Sequence, residues 1–258
     1  MKTLTEIEIS ANYDKLLAVI NDNIAPPRLE LLIKLYSDKQ EIIAFAPASG
    51  KEHYHNCYIG GYVEHVLNVI DIALKVDALW TDSGAINSHT TEELIFAALN
   101  HDLGKIGEGD QPYYIPNPSD WHRKNQGAIY TQNPAVNFMP VQDRSLFTLQ
   151  EYGITCSFNE YVAIKTHDGL YDKGNEAYLI SWSDDGKLRT NLPYILHQAD
   201  MMASRIEYQQ FKNSQGPYIA PPKKAVTGTT ATSKAMNTLA AKPSSAATSL
   251  FDELFNTK

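Results

Sequence analysis

Positive charge, cysteine and long apolar runs are all scarce in this chain of 258 residues. The 22 Lys and Arg residues are outnumbered by 30 Asp and Glu, and this formal net charge of −8 argues against a wide binding surface for duplex nucleic acid. Two cysteines, Cys57 and Cys156, are too few for a disulfide framework or a zinc knuckle. No apolar run reaches the roughly 18 residues of a membrane span, and the first residues lack the apolar core of a signal peptide. We therefore expect a reduced, cytoplasmic protein that does not bind membranes.

Apolar periodicity predicts an all-α domain over residues 1–220. The strongest pattern is the amphipathic segment 60–76, and Ser157 with Glu160 forms the signature of a capping box at the start of another helix. Residues 107–140 are rich in Pro, Asn, Tyr and Gly and predict a long irregular loop, while 178–191 favours a small hairpin or an extended loop. The predicted helices cover 11–21, 27–37, 60–76, 90–102, 121–130, 144–154, 157–169 and 192–211.

Composition changes near Pro221, where large apolar residues almost disappear. Residues 221–248 are mainly Ala, Thr, Ser, Pro and Lys, which predicts a disordered, flexible linker. The last segment, 249–258 (SLFDELFNTK), places its apolar residues on one helical face. It resembles the C-terminal peptides by which replication proteins of phages and bacteria bind a sliding clamp, which implies a clamp-like protein partner. The alternative is a helix that folds back on its own domain.

A His-Asp doublet, His101-Asp102, ends the apolar helix at 90–102. Adjacent helical side chains point about 100° apart, so such a pair favours a shared ligand beyond the helix end over a contact with each other. Further histidines and aspartates lie on or at the ends of other predicted helices: His65, His167 and Asp200. Imidazole and carboxylate together suit Mn, Fe, Co, Ni, Zn or Mg, so we expect one or two divalent metal ions.

Three segments in order resemble the HD-domain superfamily of metal-dependent phosphohydrolases. GGYVEH contains His65, NHDLGKIG contains the doublet His101-Asp102, and LHQADMMASR contains Asp200. The resemblance extends over residues 50–210 and implies an HD-domain helical bundle. It also implies a mononuclear centre held by those four residues.

A second metal ion is the interpretation that we favour. WHRKNQGAIY and AIKTHDGLY resemble segments that add histidines in dinuclear members of the family, and they contain His122 and His167. The resemblance then implies that Asp102 bridges the two ions. In the mononuclear alternative, His122 and His167 contact the phosphate instead.

Such a centre is suited to hydrolysis of phosphate esters or anhydrides. A divalent ion lowers the pKa of bound water from about 15.7 towards ~7, and two ions roughly 3.5–4 Å apart can hold the attacking and leaving oxygens. We expect Asp102 and Lys105 to be the catalytic residues, Lys105 by offsetting charge on a phosphate oxygen. The expected substrate is a nucleotide or a short single-stranded oligonucleotide, since the acidic chain disfavours long duplexes.

Three alternatives stay open at this point. The same site suits a 3′–5′ exonuclease or a cyclic-dinucleotide phosphodiesterase. A non-catalytic scaffold would act through its C-terminal peptide, and a di-iron oxygenase would use the same ligands for oxidation. Outside the ligand set, His53 and His55 either enter the mouth of the pocket or lie in a loop, and the loop position is the default interpretation. The aromatic residues of the long loop either stack on a base or cover the core: Tyr113, Tyr114, Trp121 and Tyr130.

Overall fold

The computed structural model describes residues 3–181 and 183–214. The predicted linker (221–248) and docking peptide (249–258) lie outside these residues. Within the described part, no helix has the length and apolar character needed to cross a bilayer. The α-helices are α1 (Glu6–Asn23), α2 (Arg28–Asp38), α3 (Gln40–Phe45), α4 (Gly61–Asp82), α5 (Thr91–Asn100), α6 (Asp120–Gln126), α7 (Val141–Glu151), α8 (Phe158–Thr166), α9 (Glu176–Leu179) and α10 (Leu192–Ser214), and the strands are β1 (Tyr114–Pro116) and β2 (Tyr130–Gln132).

Helix α5 lies at the centre of the core. Every residue from 94 to 100 is buried, which fits a helix that is apolar on all sides. It packs against α4, α8 and α10, and α4 also packs against α10. The helix begins with a capping box in which Thr90 accepts from the Glu93 backbone and Glu93 accepts from the Thr90 backbone. The residues that follow α5 are therefore held at the middle of the bundle.

Arg28 connects three helices at one end of the core. Its guanidinium donates to Glu160 on α8 at 2.7 Å and to Glu92 on α5 at 2.5 Å. It also lies 4.2 Å from the centroid of the Phe96 ring. The Glu160 side chain is fully buried, and the positive charge of Arg28 compensates its carboxylate in the core.

The all-α prediction is confirmed, and so is the capping box formed by Ser157 and Glu160. The sheet differs from expectation. The described residues of 178–191 contain no strand, whereas β1 and β2 form an antiparallel pair inside the long loop, with Tyr114 opposite Gln132. The short helix α3 was not predicted. It has six residues and is separated from α2 by Lys39 alone.

The His-Asp doublet is followed by a 3₁₀ turn, Leu103–Ile106, that packs against α7. The Gly104 backbone donates to the Ser145 hydroxyl at 2.8 Å, and this hydroxyl also donates to the His101 carbonyl at 3.0 Å. A Cβ atom on Gly104 would lie 2.1 Å from the Val141 carbonyl oxygen. Glycine at this position therefore permits the close approach of α7 that fixes the turn.

We expect Gly104→Ala to reduce the free energy of unfolding by about 1–3 kcal/mol, the usual cost of overpacking. The new methyl group would meet backbone, which has little freedom to move. Urea denaturation measures the change. As a control, Gly174→Ala adds a methyl group at an exposed glycine without a positive φ, where the nearest atom is a side-chain oxygen of Asp172 at 3.2 Å. An equal loss in both variants would contradict the packing argument.

Candidate metal centre

Four predicted ligands meet at one point between α4, the end of α5 and α10. The Nε2 atom of His65 lies 3.2 Å from an oxygen of Asp200 and 3.7 Å from one of Asp102. The Nε2 atom of His101 lies 3.4 Å from Asp102 and 3.9 Å from Asp200. His65 and His101 are fully buried. Side chains from three separate helices thus point towards a shared space of the size that a cation needs.

His167 joins the same cluster from the end of α8. Its Nε2 atom lies 3.6 Å from Oδ1 of Asp102, whereas His65 and His101 approach Oδ2. The two oxygens of Asp102 therefore face different imidazoles. This arrangement fits a carboxylate that contacts two ions, as the dinuclear interpretation requires.

Each of these imidazoles is anchored through Nδ1. His101 bonds the Ala98 carbonyl and His167 bonds the Ile164 carbonyl, both at 2.8 Å. A carbonyl oxygen only accepts, so Nδ1 donates in both rings and the neutral form carries its lone pair on Nε2. The Nε2 atoms are the ones that converge, and in His65 and His101 they are buried without a hydrogen-bond partner among the described residues. Such groups fit metal ligation.

A carboxylate that the sequence analysis missed anchors His65. Glu207 on α10 lies 3.0 Å from His65 Nδ1, and it also accepts from the Asn68 amide at 2.8 Å. Glu207 lies outside the sequence motifs on which the ligand set was predicted. Its spacing indicates its position, because Glu207 follows Asp200 by two helical turns and lies on the same face of α10.

Charge in the centre is balanced among these groups. Burial alone would raise the pKa of Asp102, but Lys105 and His101 hold it well below its usual range. The ammonium of Lys105 lies 2.5 Å from Asp102. Burial also lowers the pKa of His65, yet Glu207 and Asp200 more than offset this and raise it to about 10. Burial likewise disfavours the charged form of His167, but Asp102 and Asp168 raise its pKa to about 9.

Asp102, His167 and Asp200 line a cavity of about 580 Å³, whereas His65 and His101, which are fully buried, do not belong to its described lining. Lys105 lies beside the cluster, and Arg205 on α10 lines the wall without an ion pair to any described residue. Exposed apolar side chains surround them, including Tyr54, Tyr171 and Met201. None of the four aromatic residues singled out in the long loop is among the described residues that line this cavity.

The structure separates His122 from the other predicted ligands. It lies on α6, where it is exposed and packs edge-on against Trp121. Among the described residues, it belongs to none of the groups whose ligand atoms lie within 4.8 Å of one another. His55, interpreted from sequence as a loop residue, belongs to one of them with His65 and Asp102. The position of α6 therefore does not bring His122 to the other five predicted ligands.

No protein-family model, curated protein or solved structure matches the chain.

We expect metal binding to release protons, because ligating imidazoles must be deprotonated. With pKa values of about 10 and 9, His65 and His167 are protonated near neutral pH before the ion binds. Metal affinity should therefore rise with pH, by about tenfold per pH unit for each proton displaced. Calorimetric titration with Mn²⁺ in buffers of different ionisation enthalpy counts these protons.

A matched control is His122→Gln, which changes an exposed histidine outside the cluster. It should bind the ion with the same affinity and release the same number of protons. Affinity independent of pH in the unaltered protein would contradict the charge balance described above, and a loss in His122→Gln would return that residue to the ligand set.

Proposed function

We propose that this chain is a metal-dependent phosphohydrolase of the HD-domain type, acting on a nucleotide or a short oligonucleotide. The observation that carries the proposal is the convergence of three anchored Nε2 atoms and two carboxylates, of which Asp102, His167 and Asp200 line one cavity. The donor set of imidazole and carboxylate oxygens suits Mn, Fe, Co, Ni, Zn or Mg. His65, His101, Asp102, His167 and Asp200 would hold one or two ions.

A divalent cation supplies Lewis acidity, which lowers the pKa of water and withdraws charge from a phosphoryl oxygen. Asp102 would bind it through oxygens that face separate imidazoles. Lys105 lines the cavity beside Asp102 and would offset negative charge on a non-bridging oxygen of the substrate. The anchored Nδ1 atoms keep the imidazoles from rotating and from presenting the wrong nitrogen.

The size and charge of the cavity support a small phosphorylated substrate. A volume of about 580 Å³ lies within the range of roughly 300–1,000 Å³ that small-molecule sites occupy. Lys105 and Arg205 place positive charge in the lining of an otherwise acidic chain, and Tyr54 and Tyr171 offer apolar faces near the opening. This combination suits an anionic group joined to a flat, largely apolar one.

We expect Asp102→Asn to lose metal and activity together, by about 100-fold or more in kcat/KM. The amide removes a negative charge that both the cation and Lys105 require. Hydrolysis of bis(p-nitrophenyl) phosphate and of a mononucleotide, a cyclic dinucleotide and a short RNA is measured with Mn²⁺, Co²⁺, Ni²⁺ and Mg²⁺.

The control is Asp71→Asn, which changes a surface aspartate of α4 that pairs only with Lys75 among the described residues and should leave activity unchanged. Full activity in Asp102→Asn would place the catalytic centre elsewhere. A protein that binds these metals but hydrolyses none of the substrates is not a phosphohydrolase. Iron-dependent oxygen consumption would identify an oxygenase.

Arg205→Gln tests the substrate side of the cavity. We expect KM to rise roughly tenfold or more with little change in kcat, because a hydrogen bond to a charged group contributes about 1.5–3 kcal/mol. Steady-state kinetics on the best substrate of the panel measures both constants. Lys212→Gln removes a positive charge from the same helix but outside the cavity lining and should leave KM unchanged. A fall in kcat alone would assign Arg205 to the chemical step.

A further inference from the structure

His55 lies in the segment that precedes α4 and contacts the metal centre. The centroid of its ring is 4.5 Å from that of His65, with the planes tilted by 36°. Two further ring contacts follow, since the ring centroid of His65 lies 5.6 Å from that of His101, and that of His101 lies 5.0 Å from that of His167. His55 thus adds a fourth imidazole to the cluster, next to His65.

The free nitrogen of this ring is placed as a ligand would be. Its Nε2 atom is buried and has no hydrogen-bond partner among the described residues. His55, His65 and Asp102 each offer one ligand atom, and these atoms all lie within 4.8 Å of one another. A buried polar atom left unpaired costs about 1–3 kcal/mol, so a histidine here needs a reason other than packing.

Two hydrogen bonds fix the conformation of the segment 48–56, and a close approach to Gly61 places it at the start of α4. The Ser49 hydroxyl donates to the His55 carbonyl at 2.6 Å, and the Ala48 backbone donates to the Asn56 carbonyl at 3.1 Å. A Cβ atom on Gly61 would lie 2.1 Å from that Asn56 carbonyl. Only glycine at the first position of α4 lets the segment approach this closely. The pair Gly60-Gly61 therefore places His55 beside His65.

We propose that His55 is an additional metal ligand, at the side of Asp102 that faces His65. The inference rests on the proposed metal centre and adds a ligand that the sequence motifs do not contain. It also accounts for the position that His122 does not fill. His55 would bind the same class of divalent cation through its Nε2 atom.

The test compares binding of Co²⁺ and Mn²⁺ by the full chain and by His55→Ala, using calorimetry and the visible absorption of bound Co²⁺. We expect His55→Ala to lower the affinity at least tenfold, or to lose one ion per chain, and to change the Co²⁺ spectrum. His55→Asp, which replaces the imidazole by a carboxylate ligand, should recover the stoichiometry. His53→Ala, an exposed histidine of the same segment outside the ligand groups, should bind both ions as the unaltered chain does.

The outcomes separate the two proposals. If the unaltered chain binds neither ion, the metal centre itself is refuted and the ligand with it. If it binds them and His55→Ala keeps the same affinity, stoichiometry and spectrum, the centre stands and His55 is not a ligand. Should His55→Ala fail to fold by circular dichroism, His55→Gln keeps most of the side-chain volume but ligates weakly. Unchanged binding in that variant overturns the inference equally.

Discussion

The negative charge of Asp102 is the constraint on which the arrangement of the surrounding helices depends. Its side chain is almost inaccessible to water, and an uncompensated charge in such a place costs several kcal/mol. Lys105 compensates one oxygen at 2.5 Å, while His101 and His167 approach from the ends of two different helices. The bundle therefore brings positive charge to this point through Lys105, and protons on the imidazoles or a bound cation would add to it.

Helix α10 clamps the ring of His65 between two carboxylates. Asp200 lies 3.2 Å from its Nε2 atom and Glu207 lies 3.0 Å from its Nδ1 atom. Because these acids are two turns apart on one helix, the packing of α4 against α10 sets both distances at once.

The helices that carry the centre could be predicted because their signals are local. Periodicity marks α4, and the capping box of Ser157 and Glu160 marks the start of α8. The strands β1 and β2 carry no such signal, since they are three residues each and pair across a long loop. The ligand set followed from spacing along the chain, which cannot tell how a loop folds. It therefore included His122, which belongs to none of the described His/Asp groups, and left out His55, whose place beside His65 depends on the close approach of Gly61 to Asn56.

The segment that carries His55 is bonded directly to the long loop. The Glu52 backbone donates to the Gly127 carbonyl at 2.8 Å, and the Tyr130 backbone donates to the Gly50 carbonyl at 3.0 Å. These bonds join the residues after α6, and the start of β2, to the chain a few residues before His55. A rearrangement of α6 that keeps these hydrogen bonds would therefore also move the segment that carries His55. Whatever binds to the outer loop is thus mechanically connected to the position of the His55 ring beside His65.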